Sequence, residues 1–236
     1  MDFLSNEFDL QFAQIENLTR YPWVGENYSN AKRRFLIVGE SHNIKEKEEQ
    51  VKIKREETQH DCNHTRNCLF QVLVDHSWTN STFRNLMKAL CDRGVIPEDS
   101  MALKKIAYYN FIQRSLTYTV TEKERPNDID YKIAWKCFSQ TVEILKPTDC
   151  LFVGVESDRG FGNVMEELQI PYRPVKKLEV INGSYPRIAY MTLSCGYELK
   201  IVFIKHSSRY FSPQKWHDFL KKQLPGAMAY LNEQDR

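Results

Sequence analysis

Phe35-Leu-Ile-Val38 is apolar throughout, closes on Gly39, and runs at once into Glu40-Ser41-His42-Asn43. So short a run with no polar alternation suits a strand covered on both faces, the condition of a parallel strand inside an α/β sheet. Cys150-Leu-Phe-Val153 repeats the pattern, with Gly154-Val-Glu-Ser157 ending it much as Gly39-Glu-Ser41 ends the first. Ligands of open α/β sheets sit just beyond the carboxyl ends of such strands. The polar residues after Gly39 are therefore candidates for a site. Strand-end loops also serve only to turn the chain or cap the next element, so position alone does not separate the two roles.

The segments between these runs read as helices and further strands. Phe83, Leu86, Met87 and Leu90 recur at helical spacing over 81–90, with Asn80 or Ser81 as cap. Residues 131–145 form an amphipathic helix that Lys146-Pro147 stops, and 160–168 and 213–224 give two more. A second strand is predicted over 106–112, a polar loop over 113–130, and two β segments over 187–193 and 199–204. Residues 1–30 read as an irregular or helical cap, and 68–75 as a helical or extended apolar stretch, and Gly94 and Pro97 end the unit that follows. The alternation predicts one α/β domain over 1–236, a three-layer α/β/α sandwich around a central, mainly parallel sheet. A charged insertion at about 44–68 reads as an exposed helix or mobile loop.

Hydrophobic content of 42%, charged content of 27% and a net charge of +2 describe a soluble globular chain with no overall charge signal for nucleic acid. Basic pairs and triplets such as Lys32-Arg33-Arg34 and Lys221-Lys222 leave room for a local basic face. No apolar run reaches the roughly 20 residues that span a bilayer, and the first residues lack a signal-peptide pattern. The expectation is a monomeric cytoplasmic protein, nuclear if eukaryotic, without membrane contact. The scattered cysteines are expected as core residues or free thiols. His60, Cys62, His64 and Cys68 crowd one stretch, but their spacing matches no standard zinc finger. No metal and no cofactor are expected, although His42 could ligate a metal with His60 or His64.

Three strand-end loops stand out in order: Gly39-Glu-Ser-His-Asn43, Tyr109-Asn110 and His206-Ser207-Ser208. Their order and surroundings resemble the uracil-DNA glycosylase superfamily. Asn110, Arg125-Pro126, the helix to Leu145-Lys146-Pro147 and the run from Cys150 to Gly154 follow the motif order of its iron–sulfur type. The resemblance spans about 34–220. It departs where Pro is missing from the first loop, where Ser207 stands for the usual Pro, and where the cluster cysteines are absent. Only Cys137 falls at a comparable place, and Arg114 stands where a second Cys belongs, so no cluster is expected.

The resemblance implies a DNA glycosylase that hydrolyses the N-glycosidic bond of a flipped-out uracil-like or modified pyrimidine, with DNA as partner. The departures point toward a bulkier base, such as one in modified phage DNA. Glu40 would orient the attacking water, and His206 would donate to the departing base, with His42 as a second catalytic donor. Gly39, Ser41, Asn43 and Asn110 would line the base, and Trp78 or Phe83 would stack on it. Ser207, Ser208, Arg209 and Tyr210 would meet the DNA. Two rivals remain. One is a non-catalytic nucleic-acid-binding module of the same fold. The other is a serine esterase using Ser41, but Asp-x-x-His, the usual partner sequence, is absent before both His206 and His217.

Overall fold

The computed structural model describes residues 3–45, 48–91, 99–119 and 123–233. A short helix α1 (Asp9–Phe12) and a two-residue strand β1 (Trp23–Val24) lead to β2 (Phe35–Lys45). Four helices follow: α2 (Glu48–Gln59), α3 (His64–Leu73), α4 (Ser81–Leu90) and α5 (Asp99–Lys105). Then come β3 (Ile106–Tyr118), α6 (Asp128–Leu145) and β4 (Asp149–Val153). After a 3-10 turn at Val155–Asp158 the chain continues through α7 (Phe161–Glu167), β5 (Tyr172–Lys177), β6 (Arg187–Thr192) and β7 (Glu198–Ile204). It closes with α8 (Pro213–Gln223) and α9 (Pro225–Asn232). The Gly94 and Pro97 break lies outside the described residues.

The strands form a seven-stranded sheet in the order β1-β3-β2-β4-β7-β6-β5. Its centre, β3-β2-β4-β7, is parallel. β1 runs antiparallel at one edge, and β6 and β5 run antiparallel at the other. The sheet is therefore mixed, with the expected parallel centre and antiparallel strands at both edges. Alternation on β2 explains why its sequence is apolar without a break. Leu36 and Val38 enter one core with Phe111, Trp135, Phe152 and Phe203, while Phe35 and Ile37 enter the other with Tyr108, Leu151 and Trp216. Helices α6 and α7 cover the first face, and α3, α4, α5, α8 and α9 cover the second. Ring packing makes the first face a connected aromatic layer: Trp135 meets Phe111 edge-on at 4.8 Å and stacks on Phe152 at 5.4 Å between centroids. No described helix is long and apolar enough to cross a membrane.

Gly39 does not end the first strand. β2 continues to Lys45, still paired to β3, which runs on to Tyr118 with an irregularity between Ser41 and Asn43. β4 stops pairing with β2 at Val38↔Phe152. Residues 39–45 and 110–118 thus leave the sheet as a two-stranded ribbon, so the first part of the predicted 113–130 loop, up to Tyr118, is strand and its last residues begin α6. The charged segment rests on this ribbon as α2, where Arg55 reaches Glu124 at 2.6 Å and the Ser115 carbonyl at 3.3 Å. Glu124 also pairs with Arg114, whose guanidinium holds Asp130 at the start of α6 (2.6 and 2.7 Å). Asn127 and Asp130 form a capping box there, so helix start and ribbon are tied together.

Candidate functional site

The order of the parallel strands reverses beside β2. The chain goes from β2 to β3 on one side, returns through α6 to β4 on the other, and then continues outward to β7. Such a reversal leaves a crevice beyond the carboxyl ends of the two strands at the switch, where open α/β sheets bind ligands. Here those strands are β2 and β4, and they part just before Gly39 and Gly154.

Three residues meet in that crevice. Gly154 continues β4, its amide donating to the Ile204 carbonyl at 3.0 Å. A Cβ on Gly154 would stand 3.7 Å from Glu40 Cβ, 3.8 Å from Glu40 Cδ and 3.3 Å from Ser157 Oγ. Glu40 lies alongside the Gly154 backbone at ordinary contact distance, and only Ser157 Oγ would be crowded by a side chain there. His206, two residues past β7, feels the Glu40 carboxylate. Burial is the largest influence and lowers the His206 pKa; Glu40 opposes it and Lys123 adds to it. The imidazole is therefore neutral near neutral pH, with one N–H to donate. Tyr131, at the start of α6, senses the same charges. Burial first, then Glu40 and Glu156, push its hydroxyl up to about 12, while Arg159 and Arg125 oppose. The crevice thus gathers two carboxylates, a neutral imidazole, a phenol and cationic side chains at its margin.

The His206 loop is held from several directions. Asn85 on α4 donates to the Ser207 carbonyl at 2.9 Å and the Ser208 carbonyl at 3.3 Å. The Ser207 hydroxyl donates to the Thr82 carbonyl at 2.9 Å, and Ser207 is fully buried. Lys205 donates to the Tyr210 carbonyl at 3.1 Å. The loop tip therefore carries Arg209 and Tyr210 outward. Tyr210 is 86% exposed and sits at φ +59°, a left-handed conformation unfavourable for an aromatic residue.

Asn110 occupies the first turn of the ribbon opposite Gly39. It is buried, and its Oδ1 accepts from the Tyr108 hydroxyl at 3.0 Å. That contact leaves the two Nδ2 protons as what the amide can offer. A Cβ on Gly39 would overlap both Asn110 Oδ1 and the Tyr108 hydroxyl, so glycine is required by close approach. Phe83 on α4 packs edge-on against Tyr108 at 5.5 Å and is partly buried, a core contact. Trp78 is 44% exposed after α3. Ser41 pairs with Ile112 in the ribbon, and Asn43, exposed, pairs with Leu116. His42 turns to α3: its Nε2 lies 2.9 Å from Thr65 Oγ1 and its ring centroid 4.5 Å from that of His64.

Gly154, Ser157, Tyr131 and Asn85 are the site residues that sequence reasoning passed over. The echo of Gly39-Glu-Ser41 in Gly154-Val-Glu-Ser157 was the available signal for the first two. Two open clefts, of about 590 and 450 Å³, lie instead at the amino-terminal edge of the parallel strands, around Arg33 and around Lys146. Neither includes Glu40 or His206. Neither the protein-family models nor the curated proteins compared with this sequence give a match.

Proposed function

We propose that this chain is a monofunctional DNA glycosylase acting on a flipped-out pyrimidine at the β2–β4 crevice. The observation that supports the reading is that Glu40, which lies beside Gly154, acts electrostatically on the buried His206 imidazole at a topological switch point. Breaking an N-glycosidic bond builds positive charge on the sugar and negative charge on the base. A carboxylate and a neutral hydrogen-bond donor, on opposite sides of the scissile bond, meet those two demands.

In this mechanism the C1′–N bond breaks with its electron pair leaving on the base. Water adds its oxygen to C1′, and its proton passes to Glu40. His206 stays neutral and donates its N–H to the base oxygen that gains charge. Burial of the imidazole supports that role, since a protonated His206 beside Lys123 is disfavoured. Asn110, oriented by Tyr108, offers its amide protons to the base edge. Tyr210 and Arg209, on the exposed tip of the His206 loop, are suited to the gap left in the stack and to a backbone phosphate. His42, Ser41 and Asn43 belong to the ribbon beyond, where His42 engages α3.

The test is base release by wild type and two variants. Glu40→Gln and His206→Ala are each expected to lose base excision at least 100-fold while keeping the far-ultraviolet spectrum and melting behaviour of a folded protein. Undiminished excision by both would remove the assignment. Binding to DNA without release of any base, in the wild type, would favour the non-catalytic module.

A further inference from the structure

The ribbon beyond the crevice carries a second cluster that the proposed chemistry does not use. His64 and Cys68 stand one helical turn apart on α3, and β2 brings His42 against them. One potential ligand atom from each of His42, His64 and Cys68 lies within 4.8 Å of the other two, and all three residues are half-buried. His64 Nε2 is 3.9 Å from Cys68 Sγ. Zn–N bonds of about 2.1 Å and Zn–S bonds of about 2.3 Å in a tetrahedron put neighbouring ligand atoms roughly 3.4–3.6 Å apart. Closing from the observed separations requires side-chain shifts of about 1 Å or less.

The surroundings prepare these atoms as ligands. Burial, with Arg20 adding to it, lowers the pKa of both His42 and His64, so each keeps a lone pair at neutral pH. Asp61 Oδ2 lies 4.0 Å from His64 Nδ1, on the ring nitrogen away from Cys68. At that distance the carboxylate is not hydrogen-bonded, and closing by about 1 Å would make the carboxylate–imidazole pair that orients metal-bound histidines. Thr65 Oγ1 is already within hydrogen-bond distance of His42 Nε2, at 2.9 Å, which leaves His42 Nδ1 for an ion. Burial pushes the Cys68 thiol up to about 11, a group that becomes a thiolate when a cation displaces its proton. Arg20 is nearly inaccessible, favours the Cys68 thiolate by its charge, and has two guanidinium nitrogens without a hydrogen-bond partner among the described residues.

We propose that His42, His64 and Cys68 bind one zinc ion, with water as the fourth ligand, clamping the β2 ribbon to α3. Two imidazoles and a thiolate select a borderline-soft cation over magnesium or calcium. The set crosses two elements, which is why the cluster of His60, Cys62, His64 and Cys68 fits no finger spacing: its third ligand lies 22 residues upstream of His64. His60 is exposed and stands outside the set, as does Cys62. This inference does not rest on glycosylase activity.

The experiment is metal analysis of the untagged full chain, followed by chelation and titration with zinc or cobalt(II). The expected result is one zinc per chain, a higher melting temperature on reloading, and a thiolate-to-cobalt charge-transfer band in the near ultraviolet. Cys68→Ser should abolish that band and lower zinc affinity at least 10-fold, and His64→Ala should do the latter. Cys195→Ser, at an exposed cysteine far along the chain, should change neither. Titration of the wild type needs no variant to fold. Failure of wild type to bind either ion, or binding that survives both Cys68→Ser and His64→Ala, overturns the proposal.

Discussion

Asn85→Ala is the substitution that separates the scaffold of the crevice from its chemistry. The amide of Asn85 makes two hydrogen bonds to the loop after His206, at 2.9 and 3.3 Å. Each such bond contributes about 0.5–1.5 kcal/mol net, the longer one at the lower end. The Ser207 carbonyl that loses its donor belongs to a fully buried residue, so part of a desolvation cost adds to the loss. The expected destabilisation is about 1–2 kcal/mol, which lowers the melting midpoint of a chain this size by roughly 2–8 °C. The effect on base release should be larger than that stability loss suggests. A donor displaced by about 1 Å costs on the order of 100-fold in rate, and Asn85 fixes the backbone one residue from His206. Glu143→Ala is the matched control. Glu143 also accepts a pair of hydrogen bonds, from Ser194 N at 2.7 Å and Ser194 Oγ at 2.6 Å, but near the amino ends of β4 and β7. Urea unfolding and single-turnover base release would be measured on both variants. Wild-type release by Asn85→Ala at the expected stability loss, or an equal loss of release in Glu143→Ala, refutes the reasoning.

Acidification should weaken the fold before the carboxylates titrate. In the metal-free protein, His42, His64 and His206 all have folded pKa values below 6.5. Below about pH 6.5 the unfolded chain then binds more protons than the folded one, so stability is present above that pH and falls as pH drops toward the folded values. The urea midpoint should decline between about pH 7.5 and pH 5.5, and a flat midpoint contradicts it. Tyr210→Gly relieves a left-handed backbone and removes a side chain that is 86% exposed. Its stability should be unchanged or higher by up to about 1 kcal/mol, while its affinity for DNA falls; loss of stability without loss of binding counts against the loop's proposed role.

The pattern that was easiest to read was the one dictated by burial on two faces. Phe35–Val38 and Cys150–Val153 are apolar because each alternates between two cores, and both are parallel strands. The helix at 81–90 followed from periodicity and its cap, and Asn80 does cap it; the helix read over 131–145 starts earlier, at Asp128, behind an Asn127 cap that the reading did not single out. The extension of β2 and β3 was not legible. Glu40, Ser41, His42 and Asn43 form a strand although their residue types favour turns, because pairing with 110–118 outweighs local preference. β5 was missed because Tyr172–Lys177 is a mostly exposed edge strand with Pro174, two features that hide a strand in sequence. At the site, Gly39-Glu40 and the His206 loop announced themselves as polar positions after apolar runs, although the first lies within β2. Tyr131 and Asn85 did not, since each sits on an ordinary helix and acquires its place only through tertiary packing.

Base release tests the central claim most directly. Purified protein would be incubated with DNA carrying uracil, a thymine mismatch, hydroxymethylcytosine or glucosylated cytosine. Free base would be read by mass spectrometry, and abasic sites by alkaline cleavage. The account predicts release of a pyrimidine from at least one of these substrates, with an abasic site left behind, and loss of that release in Glu40→Gln. Folded wild-type protein that frees no base from any of them, or release that Glu40→Gln leaves intact, contradicts it.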